Sequence, residues 1–272
     1  MGSLARFLRM LMRISLLALL ALAVSNCSSG SNEKYDETRN WSADRLYNEA
    51  KGELLAGNYK KAAELYQKLE ARYPYGRYAQ QSQLEAAYAY YKDQEPVLAL
   101  AEVDRFIKLY PDHPNLDYAY YLKGLINFNE DLGLFGGIAN QDMSERDPKA
   151  AVESFEAFRE LLTRFPDSKY APDAQQRVRY LVNALANHEV RVGAYYLRRK
   201  AYVAAVNRAQ YVLTNYPKTP AVEQALVILV KAYDAMGLAD LRDDANRVLK
   251  LNYPNTAYST ASYFDKKWWQ FW

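Results

Sequence analysis

Five times along this chain an aromatic residue stands directly before a proline: Tyr73-Pro74, Tyr110-Pro111, Phe165-Pro166, Tyr216-Pro217 and Tyr253-Pro254. Each pair closes a stretch of helix formers. Proline lacks a backbone donor, and it pushes the residue before it out of the helical region. The intervals between these prolines are 37, 55, 51 and 37 residues. Two intervals are the bare repeat, and the others exceed it by 18 and 14 residues. A chain punctuated on one ruler is internally repetitive, which restricts the fold more than composition does.

Residues 43–74 (ADRLYNEAKGELLAGNYKKAAELYQKLEARYP) show one copy plainly. Gly57-Asn58 interrupts good helix formers, and Asn58 is placed to cap the second helix of the copy. Tyr59, Ala62, Tyr66 and Leu69 then recur at helical spacing. The small Ala62 lets the second helix lie close to the first. A Gly-x-aromatic-x-x-Ala turn with a proline twelve residues after the Ala resembles a tetratricopeptide repeat. Two helices this short cannot bury both apolar faces alone, so they need copies. The ruler predicts an all-α chain of five such units, stacked as a superhelix. Helices are expected at 43–57, 59–72, 79–93, 96–109, 115–129, 148–164, 172–199, 202–215, 220–236 and 238–252. The 18-residue excess falls inside the third unit as a glycine-rich insertion, EDLGLFGGIANQDMSERD. The 14-residue excess is helical and lengthens the first helix of the fourth unit.

Ahead of the repeats, residues 1–26 hold Arg6, Arg9 and Arg13, no acid, and an apolar run from Ile14 to Val24. Eleven residues are too few to cross a hydrocarbon core that needs roughly 20, so the segment reads as a secretory leader. The only cysteine, Cys27, comes directly after it. AVSNC resembles a bacterial lipoprotein box, which implies that Cys27 carries lipid and becomes the first mature residue. Ser28 favours the outer membrane. Residues 27–42 are a polar tether. Removing the three leader arginines leaves 32 basic against 32 acidic side chains, a neutral mature chain. That argues against nucleic acid or a polybasic lipid patch as the main partner.

Little in the chain carries chemistry. His113 and His188 are far apart in sequence, and neither has a second His or a Cys at i+4. Asp142, Glu145 and Asp147 are explained by capping and loop solvation. No phosphate loop, nucleophile elbow or metal signature is present. The reading is a non-enzymatic protein with no cofactor beyond lipid on Cys27. The 25 tyrosines are more telling, grouped as AYAYY (87–91), YAYYL (118–122) and AYYLRR (194–199). In tetratricopeptide repeats the first helix of each unit lines a groove at fixed offsets. Carried over, those offsets imply a groove of Tyr47, Leu54 and Leu55, then Leu84, Tyr88 and Tyr91, then Tyr118, Tyr121, Leu125 and Phe128. Tyrosine offers large apolar contact and a hydroxyl for main-chain groups, which suits an extended aromatic-rich peptide. The alternative is that the rings are packing between helices.

The lipoprotein box, the tether, five repeats, YPYGRYAQQSQLEAAYAYYK (73–92), DRFIKLYPDHPNLDYAYYLKGL (104–125) and an insertion ending in RDP (146–148) together resemble the BamD (ComL) family. That family supplies the lipoprotein of the outer-membrane β-barrel assembly machinery. The resemblance implies a periplasmic scaffold anchored to the outer membrane. Residues 43–147 would engage unfolded outer-membrane proteins, and residues 148–254 would dock a POTRA domain of the barrel-forming subunit. Smaller lipoproteins of the complex would bind elsewhere. Asn207-Arg208 matches the family's VNR segment, which implies an intersubunit ion pair at Arg208. A pilotin-like or peptidoglycan-associated repeat lipoprotein would share the box and the repeats but lack the insertion and the DHPN turn. The remaining residues, 255–272, carry three of the four tryptophans in the last five positions. This aromatic tail has three possible fates: a cap on the fifth unit, insertion at a membrane interface, or recognition by a partner.

Overall fold

The computed structural model describes residues 36–132 and 148–256. The leader, Cys27, residues 133–147 of the insertion and residues 257–272 of the tail lie outside the described residues. Contacts divide the chain into two units, Met1–Ser42 and Ala43–Trp272. In the first, Asp36 accepts hydrogen bonds from the Thr38 backbone N–H (3.2 Å) and hydroxyl (2.8 Å).

Among its described residues, the second unit holds ten α-helices and no strand. They are α1 (Ala43–Leu55), α2 (Tyr59–Arg72), α3 (Arg77–Lys92), α4 (Pro96–Leu109) and α5 (Leu116–Leu132). Next come α6 (Lys149–Arg164), α7 (Ala171–Arg198), α8 (Tyr202–Asn215), α9 (Ala221–Ala235) and α10 (Ala239–Asn252). They form the five expected pairs. Every helix packs on the next, and first helices also meet across units, α1 on α3, α3 on α5 and α7 on α9. α7 runs for 28 residues, which places the 14-residue excess inside one helix. α5 continues to Leu132, taking the first three residues of the insertion.

Two helix terminations alternate along the stack. Four of the five first helices end on a residue with positive φ: Gly57 (82°), Gln94 (63°), Lys200 (59°) and Gly237 (72°). Each closes the same pair of bonds. The amide after it reaches back five residues, Asn58 to Glu53, Glu95 to Tyr90, Ala201 to Tyr196 and Leu238 to Tyr233, all at 2.9 Å. That is the Schellman closure, which satisfies carbonyls a helix end leaves orphaned. Second helices end on the aromatic before the proline. Tyr73, Tyr110, Phe165, Tyr216 and Tyr253 all have φ between −134° and −128°. Each donates its N–H to the carbonyl four residues back at 2.8–2.9 Å. Asn58 does not cap α2 with its side chain. Its amide donates instead to Glu53 Oε2 at 2.7 Å, because the Schellman turn aims it back along α1.

Close packing requires a small residue twelve positions before each proline. Ala62, Ala99, Ser154 and Ala205 fill that place and are fully buried. Ser154 donates to the carbonyl of Gly124 at 2.9 Å. A Cβ on Gly124 would lie 2.5 Å from the Phe158 ring, so only glycine admits this approach of α5 to α6. The fifth unit has Arg242 at the equivalent place, where it pairs with Asp234 on α9 at 3.0 Å.

Glycine suits the left-handed turn position, whereas a side chain there costs about 1–2 kcal/mol. Lys200→Gly should therefore raise stability by up to about 1 kcal/mol after glycine's extra chain entropy. Gly57→Ala should lower it by a similar amount. Thermal unfolding reads both, at roughly 2–4 °C per kcal/mol for a unit this size.

Candidate functional site

The face built by α1, α3, α5 and α7 gathers most of the groove residues implied by the repeats. The structure divides them into buried and open groups. Tyr47 and Leu84 are buried, at 7% and 4% exposure, and Leu54 is half-buried. Leu55 is 81% exposed at the end of α1. Tyr88 and Tyr91 are half-buried on α3, with ring centroids 6.4 Å apart. Tyr118, Tyr121, Leu125 and Phe128 are half-buried along one side of α5. Tyr170 stands beside them, stacked on Tyr121 at 4.7 Å and tilted against Tyr118 at 5.4 Å. Phe128 lies 5.8 Å from Tyr180 and beneath the Arg177 guanidinium.

Glu85, one turn before Tyr88, ties the first two units together. Its Oε1 accepts from the Tyr47 hydroxyl at 2.8 Å, and its Oε2 accepts from the Tyr66 hydroxyl at 2.5 Å. Gln81 donates to the same carboxylate at 3.1 Å, and Lys51 approaches to 3.5 Å. One carboxylate thus joins α1, α2 and α3. Burial, followed by the bond to Glu85, pushes the Tyr47 and Tyr66 phenols far above the ordinary tyrosine range. Both remain neutral donors at any physiological pH. Nearby, Tyr78 donates to Asp44 at 2.7 Å and packs on Tyr47 at 5.3 Å.

A second polar tie crosses the third and fourth units. Tyr121 donates to Asp173 Oδ2 at 2.8 Å, and Arg177 Nε donates to the same oxygen at 2.6 Å. Burial alone would raise the Asp173 carboxyl, but these two donors outweigh it and hold it below its usual range. Glu85, Tyr78, Tyr170, Asp173 and Arg177 were not anticipated. For the α3 residues, the i, i+3, i+7, i+10 series Tyr78, Gln81, Glu85, Tyr88 marks one helix face and could have revealed them.

Arg208 lies on α8, half-exposed, with Nη1 at 3.0 Å from Glu189 Oε2 on α7. Asn207 is exposed beside it and lines an open depression of about 650 Å³ with Tyr202, Val203 and Met236. Tyr47, Tyr88, Tyr91, Tyr118, Tyr121 and Phe128 thus lie on the first three units, and Arg208 lies on the fourth. The histidines have no shared site. His113 Nδ1 accepts from the Asn115 amide at 3.1 Å, and its ring stands edge-on to Phe106. Burial lowers its pKa, which keeps that acceptor available. Among the described residues, no cluster of His, Cys, Asp or Glu could hold a metal ion.

If Glu85 holds the first two units together, Glu85→Gln should lower stability by about 1–3 kcal/mol, since its amide can serve only one of two buried hydroxyl donors well. Lys51→Ala, removing the exposed side of the same cluster, should cost under about 1 kcal/mol. Paired melting curves on the purified protein distinguish a polar hub from a surface charge.

A family model described as outer membrane lipoprotein (YfiO) matches residues 39–249. A relative from Neisseria meningitidis serogroup A is 47% identical over 264 residues, covering 96% of this chain and 99% of its own length. One from Vibrio cholerae serotype O1 is 37% identical over 239 residues, covering 88% and 98%. One from Haemophilus influenzae is 34% identical over 246 residues, covering 90% and 92%. Each of the three is named outer membrane protein assembly factor BamD. The family match begins ahead of α1 and ends inside α10, and it places this chain in the YfiO family of outer membrane lipoproteins to which the BamD assembly factors belong.

Proposed function

We propose that this protein is a non-enzymatic scaffold lipoprotein of outer-membrane β-barrel assembly. The observation that carries this reading is the alignment, over almost the whole chain, to relatives named as outer membrane protein assembly factors. Lipid on Cys27 anchors it to the periplasmic face of the outer membrane. The α1–α3–α5–α7 face receives extended segments of unfolded barrel proteins, and α8 docks a POTRA domain of the barrel-forming subunit through Arg208 and Asn207. Smaller lipoproteins of the complex complete the assembly.

Packing chemistry supports this division. The half-buried rings of Tyr88, Tyr91, Tyr118 and Phe128 expose apolar edges over a rigid backing of hydrogen-bonded side chains, so a bound strand meets a preformed wall. Tyr47 belongs to that backing and supports the wall without facing it. Arg208 is half-exposed and held by one carboxylate and the Tyr196 hydroxyl, and its five-donor fork can still meet a second carboxylate from a partner.

Two outcomes test the proposal. Arg208→Glu should abolish co-purification of a POTRA-bearing barrel protein from solubilised outer membranes, since reversing a charge at an interface typically costs several kcal/mol. Helical content and melting temperature serve as controls, because the new carboxylate also faces Glu189. Co-purification at the wild-type level in moderate salt would refute the docking role. On the other face, Tyr88→Ala with Tyr91→Ala should weaken binding of a barrel-derived peptide by about 1–3 kcal/mol per lost anchor. Intact binding combined with a large fall in melting temperature would reduce both rings to packing.

A further inference from the structure

The last described helix is left open. α10 packs against α9, and no described helix comes after it. It buries only Ala245 and Leu249, whereas α2 buries five residues between its neighbours. On its free side, Leu241, Val248 and Leu251 are 47%, 40% and 74% exposed. The i, i+7, i+10 spacing sets them in one stripe along the helix. Leu238, 43% exposed, extends the stripe toward the start of α10. Beside it runs an open depression of about 450 Å³ lined by Asp243, Asn246, Arg247, Lys250 and Leu251. A stack of repeats needs a cover at its end, because the apolar face that would meet the next copy is otherwise wet.

We propose that the cover is the chain's own segment 257–272, with Trp268, Trp269, Phe271 and Trp272 laid along the Leu241–Val248–Leu251 stripe. Three observations favour this occupant over any other. The first is reach. The fourteen residues of α10 extend about 21 Å at 1.5 Å per residue. The segment starts directly after Thr256, four residues past the helix, and sixteen residues can extend about 50 Å at roughly 3.3 Å each. Its aromatic end can therefore travel back over all of α10 with length to spare.

The second observation is the order of residues. The segment opens with AYSTAS, rich in small hydroxyl residues, which can reverse direction, and places four of its seven aromatics, Trp268, Trp269, Phe271 and Trp272, together at the far end. The third is charge. Lys266 and Lys267 precede the tryptophans, and a reversed segment carries them toward the acidic start of α10, where Asp240, Asp243 and Asp244 are exposed. Asp243 and Asp244 already hold Arg242 and Arg247. Asp240 has no ion pair among the described residues. The inference is independent of which partners the repeats bind.

The test uses the full lipid-bearing chain in detergent and three variants. One deletes residues 257–272. The second carries Leu241→Asp, Val248→Asp and Leu251→Asp, positions exposed enough for α10 to tolerate the charges. The third combines both changes. If the segment covers the stripe, deletion and triple substitution each lower the melting temperature by about 4 °C or more, the scale for a unit of this size. The combined variant then loses no more than either alone, because both remove one interaction. The triple substitution also shifts tryptophan emission to the red, since the segment carries three of the four tryptophans. Melting losses that add, or a deletion without effect, overturn the proposal. Emission unmoved by the triple substitution assigns the tryptophans to detergent or membrane and overturns it as well. A dimer in sedimentation that the deletion converts to monomer assigns the stripe to a second copy, with the same result.

Discussion

Each two-helix unit must bury an apolar face that it cannot cover alone, and the rest of the architecture derives from that constraint. The demand is met only if successive units keep one register. Two backbone devices enforce it, a left-handed residue at the tip of four of the five pairs and an aromatic-proline dipeptide between pairs. Gly57 and Gln94 are separated by the same 37 residues as Pro74 and Pro111, and Lys200 and Gly237 by the same 37 as Pro217 and Pro254. The two devices share one period, so an insertion can enter only between them. The chain places its added residues in the turn between α5 and α6 and at the start of α7, and the aromatic-proline termination of α6 keeps its form.

Of these devices, the sequence revealed the prolines fully and the tips in part. An aromatic before proline has a local reason to end a helix, so α2, α4, α6, α8 and α10 stop where their dipeptides stand. Gly57 and Gly237 also announce their turns. Gln94 and Lys200 do not, since nothing in their side chains asks for positive φ. Their conformation is imposed by the packing of helices on either side, and only the period hints at it. Asn58 failed as a cap for a related reason. A side-chain cap competes with the Schellman closure one residue earlier, and the backbone bonds win. The proline ruler already puts Arg242 at the small-residue position of the last unit, and the structure adds Asp234, which receives it there.

The candidate site was legible in residue type more than in role. Offsets from the proline put Tyr47 and Leu84 beside Tyr88, yet both are buried while Tyr88 is half-open. Helical period alone cannot separate the row that touches the neighbouring unit from the row one step outward. Glu85 separates them. A carboxylate between units needs donors, and the nearest are the hydroxyls of Tyr47 and Tyr66, so those rings are drawn inward. Arg208 was legible only through the family's motif, and its partner Glu189 lies on the long helix where no motif points. The ion pair fixes the orientation of the guanidinium on α8.

Tyrosine serves this chain where phenylalanine would not, and its hydroxyls show why. Tyr47, Tyr66, Tyr78 and Tyr121 each spend theirs on a carboxylate of another helix, stitching units through polar contacts at the edge of the core. Tyr88 and Tyr118 have no hydrogen-bond acceptor among the described residues, and burial holds the Tyr118 phenol neutral, far above its ordinary range. A neutral phenol both donates and accepts, so it can meet either a carbonyl or an amide of an extended chain. The same residue type therefore supplies the mortar of the wall and its open surface. What distinguishes the two is whether a carboxylate lies within reach. On the proposed reading, an unfolded substrate has no fixed side-chain pattern to present, and neutral hydroxyls between apolar rings would suit that lack of pattern.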